Sequence, residues 1–290
     1  MTGAAAARGP FVFDGCELRE RLAPQNAAEL ADALRTAGAR GGALLVRGGG
    51  SRLACGNPLR GADALLSTER LARVVELDAD EGVVCAEAGV PLAALREAVG
   101  PTGWELPLDP PGLASTVGGA LAAAAPGPRF PQPRDALLGV EVALADGSVA
   151  RSGGRVVKNV TGYDLPKLFT GSFGSLGVIA SAWLRLRPRP ECCSVLAAPL
   201  GEAVAERSLE AARRPTARAA LAVDAPLAAA LDPTFPHGPV LLVELAGDAG
   251  AVERDARWLA DALGAAPAPA GALERARELL GGATPHGVAL

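Results

Sequence analysis

Three consecutive glycines directly behind a short apolar run constrain this chain more than any other feature. The stretch is RGGGSRLACGN, residues 47–57, and it follows Ala43–Val46. Glycine loses more conformational freedom on folding than any other residue. A run of three is therefore kept for a tight turn or for close approach of the backbone to a ligand. The GALLVRG segment reads as a short, wholly apolar strand of the buried kind. The glycines thus leave a strand end, where open α/β sheets collect ligands. On these residues alone, a turn and a ligand cradle both remain open.

A second stretch, LPLDPPGLASTVGGALAAAAPG at 106–127, narrows the choice. Ser115 or Thr116 can cap a helix running through VGGALAAAA. Gly118 and Gly119 then fall in its first turn, where helix propensity would not place them. A helix start carries unpaired N–H groups and partial positive charge, which suits a phosphate. The competing explanation is tight helix–sheet packing. Two such stretches together point to a dinucleotide, which has a pyrophosphate and two flat ring systems to hold. Neither stretch ends in Gly-Lys-Ser/Thr, and neither is a G-x-G-x-x-G fingerprint with an acidic residue at a following strand end. A P-loop and an NAD-type Rossmann domain are both disfavoured.

The length of 290 residues accommodates two domains. Apolar content of 49% is enough for real cores, and 21% charge argues against disorder. Aromatics are 3%, so Ala, Val and Leu must fill the cores. A net charge of −4 offers no basic face for nucleic acid. No apolar run approaches the roughly 18–20 residues that cross a bilayer, and the N-terminus lacks a signal-peptide pattern. The expectation is a cytoplasmic protein, with peripheral contact at the inner membrane only through partners. Cys16, Cys55, Cys85, Cys192 and Cys193 show no C-x-x-C spacing, which predicts small buried hydrophobes rather than disulfides or metal ligands. His237 and His286 lie in Pro/Gly-flanked segments and are poor candidates for a ligand or base.

Along the chain, PQNAAELADALRTAG predicts a helix capped by Asn26, with Glu29 completing a capping box and Gly38 ending it. ALLST and VVEL predict two further strands. With the helix they make a small α/β unit, the glycine loop leaving its central strand. EGVVCAEAGV is another strand, and PLAALREAVG a helix with Pro91 at its first position. LLGVEVALADGSVARS is a hairpin about Asp146–Gly147. GVIASAWLRLRPRP alternates Ala182, Leu184 and Leu186 on one face against Ser181, Trp183, Arg185 and Arg187 on the other. It stops at Pro188 and Pro190, a candidate domain boundary. Beyond it the pattern predicts strand 192–198, helix 202–213, strands 218–224 and 240–246 and helix 250–264. That is one strand short of a ferredoxin-like unit. The expected division is 1–190 and 191–290.

The motifs RGGGSRLACGN, LDPPGLASTVGGA, RDALLGVEVALADG, VVKNVTGYDLPKLFTGSFGSLGVI and LRLRPRP occur in that order. Together they resemble the PCMH-type, or vanillyl-alcohol-oxidase-like, FAD-binding family, in its glycolate-oxidase FAD-subunit branch. The resemblance implies an α+β fold: a two-part FAD-binding domain, with a small α/β unit and a larger, mainly antiparallel sheet. A shortened ferredoxin-like substrate or cap domain would follow at 191–290.

Residue by residue, the resemblance implies that Arg47, Gly48, Gly49, Gly50, Ser51 and Arg52 wrap the FAD pyrophosphate. Ser115, Thr116, Val117, Gly118 and Gly119 would add backbone donors. Leu108 and Asp109 would line the flavin's approach, and Gly177, Val178 and Ile179 would face the adenosine side. Some family members bond flavin covalently through a histidine in the first loop. Ser51 and Arg52 stand there in this chain, which implies non-covalent FAD, with Cys55 and Cys85 as buried thiols. Oxidising a 2-hydroxy acid needs a cation for the carboxylate and a base for the hydroxyl. The candidates are Lys158, Tyr163 and Arg134, with Asp164 nearby; each also has a purely structural explanation. The implied partners are a small 2-hydroxy acid and other oxidase subunits, including an iron–sulfur protein. The implied function is the FAD-binding subunit of a glycolate-type oxidase. Alternatives are a flavin-binding assembly or electron-relay subunit without a substrate site, and a scaffold that has lost the cofactor.

Overall fold

The computed structural model describes residues 11–155, 164–200, 204–235 and 238–282. The chain divides into two units. One spans residues 1–126 and 130–188; the other comprises residues 127–129 and 189–290. Each is described on its own.

The first unit opens with a hairpin, β1 (Phe11–Phe13) and β2 (Cys16–Leu18). A three-stranded parallel sheet follows, from β3 (Glu20–Leu22), β4 (Leu44–Arg47) and β5 (Ala64–Ser67), in the order β3-β5-β4. Helix α1 (Ala27–Ala39) joins β3 to β4. The Asn26 side chain accepts the Glu29 N–H at 2.9 Å, and Glu29 closes the box on Gln25 N–H, also at 2.9 Å. Gly38 does not end this helix; the helix continues to Ala39, and the left-handed turn comes at Gly41. The glycine loop leaves β4, an edge strand, and not the central strand as its buried composition implied. β5 takes the centre because all four of its residues are buried.

The larger sheet is wholly antiparallel. It is built from β6 (Val74–Asp78), β7 (Val83–Glu87), β9 (Leu137–Ala143), β10 (Val149–Gly153) and β11 (Val178–Arg185), ordered β10-β9-β11-β7-β6. The VVEL strand therefore belongs here and not to the parallel unit. Between β7 and β9 lie α2 (Leu92–Val99), the short β8 (Trp104–Glu105) and α3 (Val117–Ala122). Pro91 caps α2 from outside instead of starting it. α4 (Pro166–Phe169) precedes β11, and β12 (Arg187–Pro188) pairs with β8.

Period-two alternation decides the packing. Val84, Ala86, Val140, Val142, Ala182 and Leu184 point to one face and bury against Leu92, Leu95, Val117 and Leu121 of α2 and α3. Ala143, Val178 and Ala180 point the other way and bury against Leu30 and Ala31 of α1 and Leu66 of β5. The large sheet is thus the middle layer of the unit, covered on both faces.

The second unit holds one antiparallel sheet of β13 (Cys192–Pro199), β14 (Ala217–Val223), β15 (Val240–Gly247) and β16 (Ala266–Pro267), ordered β14-β15-β13-β16. The fourth strand, which the sequence pattern lacked, is the two-residue β16 beside β13. Helices α5 (Val204–Ala212), α6 (Ala225–Leu231), α7 (Ala249–Leu263) and α8 (Ala272–Gly282) complete it. Apart from the inserted α6, this is a β-α-β-β-α-β succession. Its two cores lie on opposite faces of the sheet, one centred on Leu196, Leu241 and Leu259, the other on Val240, Leu242 and Leu273. No helix among the described residues is long and apolar enough to cross a membrane.

Candidate functional site

The site grows from the end of β4. Where Arg47 pairs with Ser67 the ladder stops, and the chain turns out through Gly48, Gly49, Gly50 and Ser51. These glycines are bare first of all because the protein itself occupies the space. A Cβ on Gly48 would lie 2.5 Å from Thr116 Oγ1, and one on Gly49 would fall on the Ala114 carbonyl. The loop is thus laid directly on the segment before α3. Ser51 Oγ meets Ser115 Oγ at 3.2 Å, and Arg52 Nη2 donates to the Pro111 carbonyl at 3.2 Å, fastening the two stretches together. The two glycine stretches of the sequence are one structural object.

The first turn of α3 is used internally. Thr116, not Ser115, is the cap, its Oγ1 accepting the Gly119 N–H at 3.3 Å. Val117 N–H donates to the Val90 carbonyl at 3.0 Å, and Gly118 N–H to the Ala88 carbonyl at 2.8 Å. A Cβ on Gly118 would lie 2.5 Å from Ala88 Cβ. Helix–sheet packing therefore requires this glycine, and the helix start does not present these donors to a phosphate.

The first loop is different. Among the described residues, no acceptor meets the N–H groups of Gly48, Gly49, Gly50 or Ser51. The Nε atoms of Arg47 and Arg52 are buried and also lack a hydrogen-bond partner. Arg47 stacks over the Phe11 ring, 5.2 Å from its centroid. Unsatisfied buried donors such as these Nε atoms are costly, and the half-buried loop N–H groups beside them can meet the same acceptor. Successive backbone N–H groups of this kind form an anion-binding concavity.

Beside the loop lies a cavity of about 720 Å³, within the usual ligand-pocket range of roughly 300–1,000 Å³. Gly48, Gly49, Gly50, Ser51, Arg52, Thr116, Gly118, Gly119, Gly177, Val178 and Ile179 of the expected residues line it. Ser115 is buried just behind the wall, and Val117 faces the core. Leu108 also packs in the core, while Asp109 is buried and accepts the Phe130 N–H at 3.2 Å; neither lines the cavity. Arg134 is exposed, its Nε 3.9 Å from Asp135. Asp164 pairs with Lys167 at 2.7 Å on the surface. Lys158, Tyr163, His237 and His286 lie outside the described residues.

The sequence reading missed the opposite wall, Ser172, Phe173, Gly174 and Ser175, and the tail of the first loop, Leu53, Cys55, Gly56 and Asn57. The available signal was the spacing Gly171, Gly174, Gly177, all with positive φ. The thiols also depart from expectation. Cys85 is buried, but Cys55 and Cys193 are exposed, and Cys16 and Cys192 half-buried. Cys55 follows a glycine turn and has no sheet to cover it.

Residues 21–153 match a family described as an FAD-binding domain. That range holds the glycine loop, its partner segment and the cavity-lining residues from Leu44 to Ala123. The match takes in somewhat under half of the chain and makes this segment similar to PCMH-type FAD-binding domains. FAD suits what the structure leaves open: backbone donors and the unpaired Arg52 Nε for a pyrophosphate, beside the cavity; Arg47, expected with them, stacks on Phe11 and does not line it.

Similar proteins include a D-lactate dehydrogenase of Archaeoglobus fulgidus, 37% identical over 179 residues, which are 61% of this chain and 40% of that one. The glycolate oxidase subunit GlcE of Escherichia coli is 37% identical over 152 residues, 51% of this chain and 43% of that one. The glycolate oxidase subunit GlcD of Bacillus subtilis is 33% identical over 182 residues, 61% and 38%. The chain thus spans less than half the length of these relatives. Among solved structures, an alkyldihydroxyacetonephosphate synthase superposes with a TM-score of 0.73 at 17% identity, over 91% of this chain and 56% of that one. That likeness is one of fold.

Proposed function

We propose that this chain is the FAD-binding subunit of an oxidoreductase acting on small 2-hydroxy acids, glycolate or D-lactate being the first to try. Electrons would pass to a partner protein, with an iron–sulfur subunit as the expected acceptor. The observation that carries the reading is the cluster of unpaired donors facing a cavity inside an FAD-binding domain. The names of the relatives supply the substrate class. When bound, the flavin supplies a two-electron acceptor for the carbon bearing the hydroxyl.

The chain's own part is to bind and orient. The N–H groups of Gly48 to Ser51 and the guanidinium of Arg52 hold the pyrophosphate. Thr116 and Ser115 keep that loop in place from behind. Gly177, Val178 and Ile179 form a wall at the start of β11, where Val178 and Ile179 pair with Ala143 and Val142 of β9. Binding is non-covalent, because Ser51 and Arg52 occupy the first loop. Residues 191–290 would be the substrate or cap domain.

A relay or assembly role without a substrate site is the second reading. It is favoured because Arg134, a candidate cation for the substrate carboxylate, is exposed beside Asp135 and does not line the cavity. The visible spectrum decides between the two. A flavin spectrum that bleaches anaerobically with glycolate or D-lactate supports a complete site on this chain. A flavin spectrum that persists until partners are added supports the relay. A protein that stays colourless after incubation with FAD overturns both.

A further inference from the structure

Phe173 is an anomaly on the cavity wall. Its backbone is left-handed at φ 51°, a region that bulky residues avoid, and 57% of the residue is exposed. Gly171 and Gly174 on either side adopt the same left-handed region at φ 80° and 78°. Glycine would make this turn at lower cost, so the phenyl ring is not there for the turn. Nor is it there for the core, since more than half of it meets solvent. Among the described residues lining the cavity it is the one aromatic, in a chain with only 3% aromatic residues.

The loop is also held firmly enough to keep that strained conformation. Phe173 N–H donates to the Ala122 carbonyl at 2.8 Å, and Gly171 N–H to Leu121 at 3.0 Å, both at the end of α3. Ser175 donates to the Ser172 carbonyl through its N–H at 2.9 Å and its Oγ at 2.6 Å. Ser172 Oγ donates to Phe169 at 2.8 Å. Gly174 sits over Val46, two residues before the glycine loop; a Cβ there would lie 3.7 Å from Val46 Cγ2. A strained residue that its surroundings over-determine is a reason to look for function.

We propose that Phe173 is an aromatic platform on which a flat ring system of the bound FAD stacks. The proposal rests on the FAD reading above and assigns this ring a task that the phosphate loop cannot perform. Pyrophosphate donors fix position along the chain of the dinucleotide but do not hold a ring in plane. An exposed phenyl on a rigid loop does, and base–aromatic stacking is tolerant of which ring it meets.

The test titrates apoprotein with FAD for the wild type, Phe173→Ala, Phe173→Tyr and Phe173→Gly, with an apo melting curve for each. Phe173→Ala is expected to weaken FAD binding about tenfold. Phe173→Tyr is expected to bind nearly as the wild type does. Phe173→Gly relieves the backbone, so its apo melting temperature should stay at or above the wild-type value while FAD binding falls as for Ala. Repeating the titration with ADP and with FMN tells the rings apart. A loss confined to ADP assigns the platform to adenine, and a loss confined to FMN assigns it to the isoalloxazine; either supports stacking. Wild-type FAD affinity in Phe173→Ala overturns the proposal, as does a loss that merely tracks a lowered melting temperature. A wild-type protein that takes up no FAD fails the FAD reading itself, a distinguishable result.

Discussion

Glu244 on β15 and the Gly48–Ser51 loop treat polar groups in opposite ways. Glu244 is 3% exposed, and it accepts from Arg129 Nε and Arg218 Nε at 2.7 Å each. Arg129 also pairs with Glu274 on α8. In this cluster of the second unit the charges saturate one another. In the first unit, the glycine loop leaves backbone N–H groups and the Nε atoms of Arg47 and Arg52 without partners. Both regions are costly to assemble, but only one is finished by the chain itself. A saturated cluster is evidence of structure, and an open one is evidence of a ligand.

The sharpest way to break this contrast is to open the closed cluster. Glu244→Ala takes from Arg129 and Arg218 the buried carboxylate they share, and should cost about 3–5 kcal/mol. Denaturant unfolding checks the loss, and FAD affinity should stay unchanged. If FAD binding falls as far as stability does, the two regions are not separable in the way the hydrogen bonds indicate.

The same cluster sets a pH dependence. Burial pushes the Glu244 carboxyl up, but the hydrogen bonds and charges of Arg129 and Arg218 outweigh it and hold the group below its ordinary 4.5. A depressed folded value means that the stabilisation is complete above about 4.5 and is lost as pH falls through the lower folded value. Acid unfolding of the wild type should therefore steepen below that point. Glu244→Gln should show a shallower slope over the same range, measured by unfolding free energy against pH.

The next break is in the open region. A Cβ at residue 49 meets the Ala114 carbonyl, which is backbone and cannot swing aside. Gly49→Ala should cost roughly 1–3 kcal/mol through overpacking and displace the donors, so that FAD no longer co-purifies. Gly118→Ala meets Ala88 in the same way and should destabilise with a smaller loss of FAD, because its N–H is already spent on the Ala88 carbonyl. Equal loss of FAD from both variants would make α3 part of the phosphate cradle after all.

Much of the layered architecture was legible because burial imposes a period. Ala182, Leu184 and Leu186 alternate, Asn26 and Glu29 announce α1, and Asp146–Gly147 turns the hairpin. What stayed hidden depends on partners distant in sequence. Nothing in GAAPAPAG marks Ala266–Pro267 as a strand; it becomes one because β13 offers an open edge, where proline is tolerated. α6 is short, and its marks, Asp224 and the proline after it, resemble those of a loop. In the site, the glycines were visible but their reason was not. Whether a missing Cβ makes room for a ligand or for Ala114 and Ala88 is a property of direction, and a sequence carries no direction. Phe173 was passed over because a single aromatic between glycines has no periodicity to flag it.

A gentler probe sharpens the contrast without altering any residue. Cys55 is exposed on the cavity wall and Cys193 is exposed on β13 in the other unit, whereas Cys85 is buried in β7. Burial foremost, then the nearby carboxylates of Glu76, Glu141 and Glu87, push the Cys85 thiol up to about 11. It should stay unmodified by an alkylating reagent at pH 8, since the thiolate is the reactive form. Cys55 and Cys193 should both be labelled in the apoprotein, as mass spectrometry of the digested chain would show. FAD should slow labelling at Cys55 several-fold and leave Cys193 unaffected. Protection at Cys55 alone ties the cofactor to this cavity with the native sequence intact. An unchanged Cys55 rate in protein that has demonstrably bound FAD would move the cofactor elsewhere and leave the open donors of the glycine loop to a different anion.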